Sequence, residues 1–108
     1  MKVEAIKKIL ESSTDENIEF DDPHVELRCK ENNITKESVI SMLLYETGKL
    51  SNVIEDRPKV YKLYFELNKR RQLKVIIDIF KHRKIMVRTV KILDRKLYKK
   101  IKTIKKGR

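Results

Sequence analysis

The sequence predicts one α+β domain: N-terminal helices packed on a three- to four-stranded antiparallel meander, followed by a basic C-terminal helix. Three observations carry this expectation. Apolar residues recur at helical spacing as far as residue 48, the period then shortens from 3.6 to 2, and helical spacing returns among lysines after residue 94. A length of 108 residues suits a single domain spanning the chain, with one modest core and no room for separate cofactor and substrate domains.

Val3, Ile6, Ile9 and Leu10 define an amphipathic helix over 2–12, stopped by Ser12-Ser13-Thr14-Asp15 and followed by an acidic stretch to Asp22. Asp22 then Pro23 reads as an N-cap followed by a proline at N1, where its missing N–H costs nothing. That second helix is expected to reach Glu31 with Val25, Leu27 and Cys29 facing inward, ending at Asn32-Asn33. Thr35 caps a third helix with Val39, Ile40, Leu43 and Leu44 as its stripe, ending near Thr47-Gly48. Leu50 to Glu55 reads as a short edge strand ended by Arg57-Pro58. Tyr61, Leu63, Phe65 and Leu67 alternate with polar neighbours, as a half-buried strand requires. After a turn at Asn68–Arg71, the nearly continuous apolar run Leu73–Phe80 reads as a central strand buried on both faces. Residues 81–84 turn the chain into a last strand, Ile85–Ile92. Asp94 then caps a helix to about residue 106 with Leu97, Ile101 and Ile104 as its stripe.

Composition narrows the class. Charged residues make up 40% of the chain, against roughly 25% in an ordinary globular protein. Apolar residues are also 40%, too many for a disordered chain. The longest apolar runs are about four residues, far short of the roughly 20 that a membrane-spanning helix needs. The start, Met1-Lys2-Val3-Glu4, lacks the apolar region of a signal peptide. A lone cysteine, Cys29, supports neither an internal disulfide nor a cysteine zinc site. A cytoplasmic protein is expected, with no membrane partner: the basic tail stripe has only Leu97, Ile101 and Ile104 and no Trp or Phe.

Charge is distributed unevenly. Residues 1–54 carry 7 Lys or Arg against 11 Asp or Glu, a net of −4. Residues 55–108 carry 20 against 5, a net of +15. Genome-wide lysine bias would spread the excess along the whole chain. Its confinement to one half points to a basic surface whose partner is a polyanion, with nucleic acid foremost.

The inventory for covalent or metal chemistry is short. Two glycines, Gly48 and Gly107, cannot build a phosphate loop or a dinucleotide fingerprint, so no cofactor is expected. His24 and His82 stand 58 positions apart, without the spacing of a metal site. Basic groups are plentiful. His24 and Arg28 share a helix face at i, i+4. Arg88 interrupts an apolar strand and must find a carboxylate or a phosphate. Asp78 interrupts the neighbouring strand, so the two either pair with each other or serve a site. Lys69-Arg70-Arg71 and Lys81-His82-Arg83-Lys84 bound the central strand at opposite rims, and the tail adds Lys99 and Lys100 among other lysines. Flexible cations of this kind suit salt-sensitive contact with a phosphate backbone. Tyr61, Tyr64 and Tyr98 are candidates for base stacking or, more ordinarily, for the core.

The segments His24-Val25-Glu26-Leu27-Arg28, Asn33-Ile34-Thr35-Lys36-Glu37-Ser38-Val39 and Val87-Arg88-Thr89-Val90, in that order, resemble a small family of uncharacterised domains. These look related to the RelE, ParE and BrnT toxins. The resemblance covers about residues 20–93. It departs from the family at Asn33, where glycine is usual, and at Lys91-Ile92, where Tyr-Pro is usual. It implies a RelE-like fold and a toxin-like, metal-independent RNA-binding protein or endoribonuclease. The positions that match the family motif are His24, Arg28 and Thr89; with Arg88 added from its place on the strand, His24 is expected to shuttle the proton and Arg28 and Arg88 to hold the phosphate, with RNA, the ribosome or an acidic antitoxin as the partner. A nucleic-acid-binding module without catalysis and a protein-interaction module are the competing readings.

Overall fold

A computed structural model describes residues 2–81 and 84–94 of the chain. Three helices and five strands follow in the order α1 (Lys2–Glu11), β1 (Ile18–Phe20), α2 (His24–Glu31), α3 (Lys36–Tyr45), β2 (Leu50–Arg57), β3 (Val60–Glu66), β4 (Arg71–Ile79) and β5 (Ile85–Asp94). The fold is α+β, with strand order β1-β5-β4-β3-β2. Strands β2 to β5 form an antiparallel meander, and β1 lies parallel to β5 through Ile18↔Ile85 and Phe20↔Val87. The expected three- to four-stranded antiparallel meander is therefore corrected to a five-stranded mixed sheet. The acidic stretch after α1 contributes its fifth strand.

The core lies between the helices and one face of this sheet. Ile6 and Leu10 of α1, Val25 and Cys29 of α2, and Val39 and Leu43 of α3 meet Val53, Leu63, Phe65, Leu73, Val75, Ile77, Ile85, Val87 and Val90 in one buried cluster. A large aliphatic or aromatic side chain gains roughly 2 kcal/mol by such burial. β4 is the middle strand, yet its fully buried residues, Leu73, Val75 and Ile77, all lie on one face, and on the other only Asp78 is buried. Gln72, Lys74 and Ile76 on the other face are half-exposed, so the expectation of burial on both faces is corrected. No described residue range supplies a helix to cover that face. Among the described residues no helix is long and apolar enough to cross a membrane.

Local chemistry explains the boundaries. Thr35 caps α3 by accepting from the Ser38 amide at 3.0 Å, and the helix ends at Tyr45, before a 3-10 turn over Thr47–Lys49. At the start of α2, Pro23 takes the N-cap position rather than N1, because its own carbonyl accepts the first bond of the helix, from the Leu27 amide at 3.1 Å. Asp22 Oδ1 still performs the expected role, accepting from the Glu26 amide at 3.1 Å. Leu27 is 56% exposed, which corrects its assignment to the interior. Val25 and Cys29 are one turn apart and share the buried face, whereas Leu27 is displaced from each by about 200°. Asp94, expected to cap a last helix, is the final residue of β5. The helix expected over 94–106 otherwise lies outside the described residues.

Candidate nucleic-acid interface

The face of the sheet turned away from the helices carries a line of polar and basic side chains. Strand register sets Asn52 beside Tyr64, Tyr64 beside Lys74, and Lys74 beside Lys91. Directly opposed residues in an antiparallel sheet have Cα atoms about 4.5–5.5 Å apart and side chains on the same face. Lys74 and Lys91 are therefore two like charges set side by side. Neither has an ion-pair partner among the described residues. A parallel row runs from Ile54 through Lys62 and Ile76 to Thr89.

The first row ends against α2. Beyond Phe20, β1 no longer covers the edge of β5, and the side chain of Asn32 replaces it. Asn32 Oδ1 accepts from the Ile92 amide at 2.9 Å, while Nδ2 donates to the Arg28 carbonyl at 2.8 Å and to the Val90 carbonyl at 3.5 Å. This fixes the end of α2 beside β5 and leaves a cleft of about 450 Å³ between them. Arg28, Glu31 and Asn32 line it from the helix, Lys74, Thr89 and Lys91 from the sheet. Arg28 Nη1 donates to Glu31 Oε1 at 2.9 Å, so Arg28 pairs along its own helix rather than with the acidic segment before it. The cleft thus gathers three cations, one carboxylate and a hydroxyl.

Arg88 occupies a different environment. The register slips between Ile76↔Thr89 and Ile77↔Val87, which makes Arg88 the extra residue of a β-bulge. Its Nε donates to Asp78 Oδ2 at 2.6 Å, Nη2 also reaches that oxygen, and Nη1 donates to Asp21 Oδ2 at 3.3 Å. Hydrogen bonding to Asp78 pushes its pKa further up, so the guanidinium is permanently charged. The trio of Arg88, Asp78 and Asp21 has a formal net charge of −1, which repels a phosphate. Asp78 is 8% exposed, and its Oδ1 has no hydrogen-bond partner among the described residues.

His24 is exposed in the first turn of α2, without a polar partner to its ring among the described residues. Lys69 and Arg70 stand exposed in the turn after β3, shaped by Asn68 Oδ1 accepting from the Arg70 and Arg71 amides at 2.8 and 3.0 Å. Arg71 opens β4. Lys81 and Lys84 stand at the other end of β4, roughly 30 Å away on the rise of an extended strand. Lys84 is paired with Glu19 at 2.7 Å. Arg83, Lys99 and Lys100 lie outside the described residues. His24 and Arg28 thus share one helix, Arg28 alone reaches the cleft, and the two cationic turns stand at opposite rims.

Sequence reasoning missed Lys74 and Lys91. Lys74 lies between the buried Leu73 and Val75, and Lys91 between the buried Val90 and the half-buried Ile92, which announced outward side chains. Their juxtaposition depends on the register across two strands and could not be read from either strand alone. The described residues contain no cluster of His, Cys, Asp or Glu suited to a metal ion. Comparison of this chain with family models, with curated proteins and with solved structures finds no match.

Proposed function

We propose that the protein binds single-stranded RNA on the open face of its sheet. The observation that carries this reading is the cross-strand row Tyr64–Lys74–Lys91 ending at Arg28. It sets an aromatic ring, on which a base stacks, next to cations that neutralise the adjoining phosphates. The uncompensated pair Lys74 and Lys91 supports it further, since an anion between them removes a repulsion built into the fold. The net +15 of the second half adds long-range attraction. The choice of RNA over DNA follows from the resemblance to toxin-type domains.

Cleavage has less support than binding. His24 has no group that orients its ring among the described residues, and Arg88 is held by two carboxylates.

Fluorescence anisotropy with a labelled RNA oligonucleotide, titrated between 50 and 200 mM salt, tests the reading. Three or four neutralised phosphates give a slope of log K against log salt of roughly −2 to −3. The Lys74→Gln/Lys91→Gln variant is expected to bind roughly tenfold or more weakly with a shallower slope. Salt-independent affinity, or equal affinity for both proteins, overturns the proposal.

A further inference from the structure

The cleft between α2 and β5 has a charge balance and a shape that go beyond general affinity for a backbone. We propose that it seats a terminal phosphomonoester, an inference that rests on the RNA-binding reading above. Arg28, Lys74 and Lys91 contribute +3 and Glu31 −1, a formal +2 around one small space. A phosphomonoester carries about −1.5 to −2 at pH 7, whereas an internal phosphodiester carries −1, so the terminal group is the better match. Thr89 adds a hydroxyl that donates to a phosphate oxygen, and the Arg28 guanidinium presents paired N–H donors beyond the one given to Glu31.

Shape points the same way. The row from Asn52 to Lys91 is open over the sheet and closed at one end by α2. The Asn32 side chain seals the helix against β5 through Ile92 and Val90. A nucleic-acid strand laid along the row with a base on Tyr64 meets this wall one or two phosphates later. There the chain must end or turn away.

A 5′ end and a 3′ end present the same chemistry, and the experiment separates them. Anisotropy with the full-length chain compares three oligonucleotides of one sequence: both ends hydroxyl, 5′-phosphate, and 3′-phosphate. One phosphorylated form is expected to bind roughly tenfold tighter than the unphosphorylated one. That advantage is expected to shrink to less than threefold in Lys91→Gln and in Arg28→Gln, with neither variant unfolding at a markedly lower temperature. Equal affinity for all three oligonucleotides overturns the terminal seat and leaves RNA binding standing. An advantage undiminished in both variants places the phosphate elsewhere and also overturns it. Absence of binding to any of the three overturns both proposals.

Discussion

Arg88 and Asp78 meet across β5 and β4 at a β-bulge, with Arg88 Nε donating to Asp78 Oδ2 at 2.6 Å while Nη1 reaches back to Asp21 beyond the end of β1. The bulge turns Arg88 from a member of an alternating strand into a clamp between a central strand and the parallel edge strand. Asp78 has only 11% of its side chain exposed, so removing its partner leaves a nearly buried carboxylate uncompensated. Losing one partner of a fully buried pair costs about 3–5 kcal/mol. With Arg88 42% exposed, we expect about 2 kcal/mol for Arg88→Met in urea unfolding. Asp78→Leu/Arg88→Met is expected to recover most of that loss, and RNA affinity is expected to stay within about twofold in Arg88→Met. A large affinity loss without a stability loss would return Arg88 to the binding site.

Stability and binding are expected to move in opposite directions at Lys91. Lys91→Glu replaces a like-charge cross-strand pair with an attractive one, worth about 0.2–1 kcal/mol. Unfolding should therefore need slightly more denaturant while RNA affinity falls roughly tenfold or more. A variant both less stable and equally tight would show that Lys74 and Lys91 do not share an anion.

How much of this was legible in the sequence depends on the range of the interaction. Thr35 announced its helix because a cap is a contact over three residues, and Tyr61, Leu63 and Phe65 announced a strand face by period 2. Strand β1 was missed because Ile18–Phe20 is too short to show a period, and its partner Ile85–Val87 lies some 67 positions away. Arg88 and Asp78 were visible as charges needing partners, but Asp21 as the third member required β1. The cleft had the weakest signal of all: Arg28 was noticed for its helix face, whereas Lys74 and Lys91 acquire meaning only through register.

Alkaline pH is expected to weaken the fold. Burial pushes the Cys29 thiol up, and its hydrogen bond to Asp22 pushes the Lys36 ammonium up. Both folded groups hold their protons more tightly than the unfolded chain, so each contribution is present in full below the unfolded pKa. Each is lost as pH rises through the folded value. For Cys29 the loss begins near pH 9, and for Lys36 above about 10.5. Denaturation midpoints between pH 7 and 10 check the Cys29 part, and their extension to pH 11.5 checks the Lys36 part. Cys29→Ala should remove the part of the decline that begins near pH 9, and an unchanged decline would contradict the assignment.

The β2–β3 hairpin carries a local strain that substitution should relieve. Pro58 and Lys59 form its two-residue loop, and Lys59 has φ 69°, the left-handed region that glycine enters freely and a lysine does not. This is the position at which a proline-containing type II turn calls for glycine. Lys59→Gly is expected to stabilise the protein by about 0.5–1 kcal/mol, a rise in Tm of about 2–8 °C. No rise, or a fall, would mean that the entropy of the added glycine outweighs the relieved strain.

Asn32 is the residue whose loss should affect structure and site together. Its amide closes the edge of β5 at Val90 and Ile92 where β1 has ended, and its donor to the Arg28 carbonyl finishes α2. Asn32→Ala leaves the half-buried Ile92 amide without its acceptor, at a cost of about 1–2 kcal/mol. Hydrogen exchange at Ile92 is therefore expected to accelerate more than tenfold, while exchange at Val75 in the middle strand changes only with global stability. Because the same side chain holds the helical wall of the cleft, RNA affinity should fall with it, through a faster off-rate and an unchanged salt slope. Ile92 protection retained in Asn32→Ala would mean that α2 is held against the sheet by Val25 and Cys29 alone, with no contribution from the capped strand edge.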